Sequence, residues 1–203
     1  MMIAWWASRI AEAVREPRVS ARRILDARLS AVDALAMVIV AAALDYILFI
    51  LVWNYGPAPE QLAELTGADA AEAAEAARPS FSGFLGGLGM RLIVIYVLTL
   101  MVWGVGRGVG GVAERWGLIG LVAWHGLALT PLTALGALAR VTVYPPALGL
   151  LFQFGALAIA LYVLSAFVAE AHEFKSVWSV LLAFCAGGLI FLMVLLIVIG
   201  PRA

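Results

Sequence analysis

Residues 177–200 read VWSVLLAFCAGGLIFLMVLLIVIG, a run of 24 residues without a single charge. About 20 helical residues cross the hydrocarbon core of a bilayer, so this run is long enough to span one. Four further stretches are apolar enough to do the same, and together they place spans near 31–53, 88–106, 117–138, 147–168 and 177–199. The composition agrees. The chain of 203 residues is 65% hydrophobic and only 13% charged, whereas soluble domains are about 45–50% apolar and about 25% charged. Lipid is the solvent that this much apolar surface calls for. The expected fold is all-α, a polytopic membrane bundle of five transmembrane helices occupying 31–200, preceded by a cytoplasmic amphipathic segment at 1–30.

Charge orients the chain. Arg9, Arg15, Arg18, Arg22, Arg23 and Arg28 precede the first span, and Arg107, Arg115 and Lys175 fall in connections on the same side. Arg78, Arg91, Arg140 and Arg202 fall on the other. Nine cations against four put the amino terminus in the cytoplasm and the carboxyl terminus outside. For a bacterium this means the inner membrane, with a periplasmic carboxyl end.

In the first thirty residues, helical spacing gathers Trp6, Ile10, Ala13 and Val14 on one face. Pro17 interrupts, and Ser20 is expected to cap a second short helix with Ile24, Leu25 and Leu29 turned one way and Arg22, Arg23 and Arg28 the other. Arginine-bearing amphipathic helices suit the cytoplasmic lipid interface. No cleavable signal pattern is present. At about 55–82 an insert carries Glu60, Glu64, Asp69, Glu72 and Glu75 against Arg78. Its alanines favour two short acidic helices outside the membrane.

Residues 104–111, GVGRGVGG, satisfy the pattern G-x-G-x-x-G. That pattern cradles a diphosphate only between a strand and a helix of a βαβ unit. Here it joins two membrane spans, so no nucleotide is expected. Gly106, Gly108, Gly110 and Gly111 instead form a tight hinge, and the four-residue spacings Gly104/Gly108 and Gly106/Gly110 suit close helix approach.

Polar side chains inside apolar spans are costly and need a reason. Asp45 lies about one turn past the middle of the first span, Arg91 in the first turn of the second, His125 in the third and Gln153 in the fourth. These four make a candidate intramembrane polar cluster. Arg91 can snorkel outward or reach Asp45. The cluster serves helix packing or, alternatively, Asp45, His125 and Gln153 form a proton or substrate relay in a small oligomeric transporter or channel that uses Asp45 and His125. His172, in the connection AEAHEFKS, is expected to be a solvated loop residue. Neither H-E-x-x-H nor G-x-S-x-G occurs, and the lone Cys185 provides no thiolate cluster. No enzyme activity, catalytic residue, metal or cofactor is expected. The net charge of zero gives no field to recruit nucleic acid. The expected partners are the bilayer and another membrane protein or a second copy of the chain.

Several features recur in one order. PRVSARRIL precedes the first span, a polar insert follows it, and a glycine-rich turn follows the second. GLALTPLTALGAL carries a central proline in the third, and LYVLSAFVAEAHEFKSVWSVLLAF joins the fourth to the fifth. This arrangement resembles the bacterial branch of the Yip1 family of five-span membrane proteins. The resemblance implies a five-helix bundle with a cytoplasmic amino terminus. Eukaryotic relatives bind Rab-type GTPases, but their DLYGP-like motif does not occur in this chain. For the bacterial branch the resemblance implies a fold and a location, and carries over no catalytic residue.

Overall fold

The structure, a computed structural model, describes residues 2–55, 80–142 and 146–199. These form seven helices and, among the described residues, no strand. They are α1 (Met2–Arg15), α2 (Pro17–Asp26), α3 (Ala31–Tyr55), α4 (Phe81–Gly108), α5 (Arg115–Thr142), α6 (Pro146–Ala171) and α7 (Val177–Ile199). Four of them, α3 to α6, are long and apolar enough to cross a membrane. The acidic helices expected in the insert fall outside the described residues.

The largest boundary correction concerns α4, which begins at Phe81 rather than near residue 88. Ser80 caps it, its hydroxyl accepting from the Gly83 amide at 3.0 Å. The glycines of SGFLGGLG read as helix breakers, yet in hydrocarbon every backbone group must bond within its own segment, so the helix carries through them. Arg91 is therefore ten residues inside α4, almost three turns deep, and not in its first turn.

α5 is the hub. It packs against every helix from α1 to α4 and against α6. Leu118, Leu121, Ala128 and Leu129 on α5 and Val163, Ala166 and Phe167 on α6 are almost wholly buried. Small residues set the spacing of this pair. A Cβ added at Gly136 would lie 3.0 Å from the Ala156 methyl and 3.4 Å from the Gln153 Cα. Where lipid tails are as apolar as leucine, such close backbone approach is what gains dispersion energy over lipid contact.

The amino-terminal helices sit on the end of this pair. Pro17 opens α2 at its first position, where its missing N–H costs nothing. Ser20 is consequently inside α2 and does not cap it. Its buried hydroxyl accepts a hydrogen bond from the Trp124 indole N–H at 3.1 Å. Ala13 and Ala21 are fully buried, and Ile10, Val14, Ile24 and Leu25 pack against the α5–α6 core. Leu25 and Leu29 lie over Gly117 and Gly120 of α5.

Candidate functional site

Two constellations stand apart from the apolar packing. The first lies within the spans. Arg91 on α4 makes an ion pair with Asp45 on α3. Its second terminal nitrogen donates to the Thr130 hydroxyl on α5 at 3.3 Å, and that hydroxyl donates in turn to the Gly126 carbonyl at 2.8 Å. The guanidinium passes close to Gly126, where an added Cβ would stand in ordinary van der Waals contact with it at 3.5 Å. One cation thus bridges three helices. In hydrocarbon a lone carboxylate or guanidinium costs several kcal/mol, and pairing removes most of that penalty.

His125 and Gln153 do not share these bonds. The His125 Nε2 donates to the Ala160 carbonyl of α6 at 2.9 Å, and its ring meets Phe167 edge-on at 6.2 Å. Five helical residues separate His125 from Thr130, so the two project about 140° apart around α5. Gln153 lies seven residues before Ala160 on α6, roughly 10 Å further along the axis, where its backbone passes Gly136. Of the four residues expected to cluster, the fold brings Asp45 and Arg91 together and gives His125 and Gln153 to the α5–α6 seam. Thr130 was not foreseen. A threonine one residue before Pro131, back-bonded to its own helix, carries no sequence signal of an arginine partner.

The second constellation is the glycine-rich turn. The Gly111 amide bonds the Gly106 carbonyl at 2.8 Å, the Gly110 amide bonds the Arg107 carbonyl at 3.2 Å, and Gly110 has φ +91°. This is a Schellman cap closing α4, with glycine in the left-handed position that side chains disfavour. A hydrophobic contact usually joins the two ends of such a cap. Both ends are glycine here, and the ring of His172 fills the space. A Cβ at Gly106 would come 2.3 Å from the ring Nε2, and one at Gly111 would come 2.2 Å from Nδ1. Gly104 and Gly108 have no atom within 4 Å of an added Cβ, so among the described residues this pair brings no helices together.

His172 is thus not a solvated loop residue. Only 2% of it is exposed. It ends α6 in a second Schellman cap, with the Phe174 amide on the Ala169 carbonyl at 2.8 Å and Glu173 at φ +59°. The Phe174 ring stacks on the imidazole at 5.2 Å and 11°. Burial pushes the imidazole below its ordinary range and the nearby Arg107 adds to this. The Val102 carbonyl opposes both, but it lies outside hydrogen-bonding geometry, so burial dominates.

Ion pairs tie α2 to the same corner. Arg22 donates to Glu170 at 2.8 Å through Nε, and Arg18 lies 3.8 Å from the same carboxylate while bonding the Phe174 carbonyl. On the amino-terminal helices, Glu12 of α1 receives Arg9 of α1 and Arg23 of α2. Glu170→Ala is expected to loosen α2 from α6 by about 1 kcal/mol, because Arg18 is part-exposed and Arg22 mostly exposed, and water compensates both. Trypsin cleavage after Arg18 and Arg22 should then speed up roughly fivefold in lipid discs. An unchanged rate would mean that apolar contacts alone hold α2.

No family model, curated protein or solved structure matches this chain. The fold and these two constellations therefore carry the functional reading.

Proposed function

We propose that the chain is a non-enzymatic integral membrane protein that works through contacts with protein and lipid, as a scaffold, assembly factor or accessory subunit. In this reading α7 is a fifth span, as in the Yip1-like arrangement. The protein sits in a bacterial inner membrane, with the amino terminus cytoplasmic and the carboxyl terminus periplasmic. The observation that carries the proposal is the use to which polar side chains are put. The Asp45–Arg91–Thr130 chain links α3, α4 and α5, His125 links α5 to α6, and Ser20 links α2 to α5. Each ties one helix to another, which is the work of packing.

A second reading, transport, draws on the 43% exposure of the Asp45 side chain, which leaves a carboxylate partly open at mid-depth. Proton-coupled flux in reconstituted vesicles separates the two. No flux above empty vesicles is expected for the wild type, Asp45→Asn or His125→Ala. Flux in the wild type that both variants abolish would establish transport instead. On the packing reading, purification in native-lipid discs should also retain a stoichiometric membrane partner or a second copy. A lone monomer in those discs would count against a scaffold.

Topology has its own test. A reporter that works only in the cytoplasm should be active when fused at Met1 and silent after Ala203. Activity at both ends would mean an even number of spans.

A further inference from the structure

We propose that His172 is a proton-sensitive latch: its neutral ring locks the cap of α4 onto the cap of α6, and a proton on that ring releases the Arg107–Trp116 turn. The slot is fitted to the ring. Gly106 and Gly111 each leave no space for even a methyl group, and Phe174 closes the stacked face. Both ring nitrogens are buried without a hydrogen-bond partner. A neutral imidazole leaves one donor and one acceptor unmet, whereas an imidazolium leaves two N–H donors and a full charge unmet, which costs more.

Two of the candidate acceptors are in use, and the third, the Val102 carbonyl, lies outside hydrogen-bonding geometry. The Gly106 carbonyl already receives the Val109 and Gly111 amides, and the Ala169 carbonyl receives the Phe174 amide. The charged groups on the elements meeting at this corner do not rescue a cation either. On α4 the neighbour is Arg107, which repels it. On its own segment Glu170 is held by Arg18 and Arg22 of α2, and Glu173 is exposed to solvent with Lys175 close by in sequence. Glu114 and Arg115, at the far end of the turn, are exposed and opposite in charge. The partial negative ends of α4 and α6 and the Val102 carbonyl favour a cation, and burial outweighs them.

The sign follows from linkage. An undocked histidine titrates near about 6.5, and the docked ring titrates lower. Between those values the undocked state binds more protons, so acid favours it. The docked state is unaffected above about 6.5 and loses up to about tenfold per pH unit below it, until the docked ring itself titrates. Release would expose a turn in which Val109, Val112 and Trp116 already face outward, with Arg107 and Arg115 between them.

The test is amide hydrogen exchange on the full chain in lipid discs at about pH 7.5 and about pH 5.5, normalised for intrinsic exchange. His172→Phe fills the slot, stacks on Phe174 and cannot take a proton. Protection of residues 104–116 should fall about tenfold at the lower pH in the wild type and stay constant in His172→Phe. An equal fall in both, or no fall in the wild type, would overturn the latch. Should His172→Phe fail to fold, the wild type still decides the matter, because the chain has only two histidines. A ring titration of His172, followed by NMR, with its midpoint below about 6.5 and tracking the loss of protection supports the latch. A midpoint at or above that value refutes it.

Discussion

Asp45→Leu is expected to destabilise the bundle by about 3–5 kcal/mol, because it strands the Arg91 guanidinium almost three turns inside α4. From the sequence alone Arg91 can snorkel outward or reach Asp45, and the substitution is tolerated unless Arg91 depends on the acid. With Arg91 deep in α4 and paired to Asp45, that dependence holds. Arg91→Leu should cost a similar amount by leaving the carboxylate alone. Replacing both residues with leucine should recover most of the loss, since a dry leucine pair needs no compensation in hydrocarbon. Asp45→Asn should fall between, at about 1–3 kcal/mol, keeping a hydrogen-bond acceptor but losing the charge. Equilibrium unfolding in mixed micelles measures all four. A neutral Asp45→Leu would mean that water reaches Arg91, and that result would strengthen the transport reading.

Adding side chains to the glycine-rich turn should split its glycines into two classes. Gly106→Leu and Gly111→Val drive carbon into the buried His172 ring from distances no packed atoms adopt. Each should cost about 3 kcal/mol, at the upper end of overpacking effects, because the ring is buried and stacked on Phe174 and has no space to swing into. Gly104→Ala and Gly108→Ala meet open space. In a helix those changes should be neutral or stabilising by up to about 1 kcal/mol. A further variant tests the cause directly: His172→Ala in the Gly106→Ala background should regain stability relative to Gly106→Ala alone. Thermal unfolding in lipid discs reads the series, and equal effects at all four glycines would show that the ring does not govern the turn. None of these changes should create or remove affinity for a nucleotide.

Much of this molecule is legible in its letters because lipid is a severe solvent. Long apolar runs without charges must be helices there, since no other open structure satisfies the backbone. The starts of α3, α5, α6 and α7 accordingly fall within a few residues of where hydropathy puts them. The same rule explains the one large boundary error, where the glycines before Met90 lowered the apparent apolarity of a helix that nevertheless continued. The pattern of Ile10, Ala13, Val14, Ile24 and Leu25 identified the buried faces of α1 and α2. It could not say that protein rather than lipid would cover them, because both are apolar.

What tertiary structure alone decided is which polar groups meet. Helical periodicity gives each side chain a direction on its own helix and says nothing of the neighbour it faces. Asp45, Arg91, His125 and Gln153 therefore looked like one cluster and divided into two when α5 came between them. His172 looked solvated because its sequence neighbours are charged. It is buried because two glycines five residues apart on another helix end leave a slot of its shape. Spacing marked those glycines as permissive; only the placing of His172, one residue past the end of α6, against the end of α4 determined what they permit, since a missing side chain acquires meaning from the atom that takes its place.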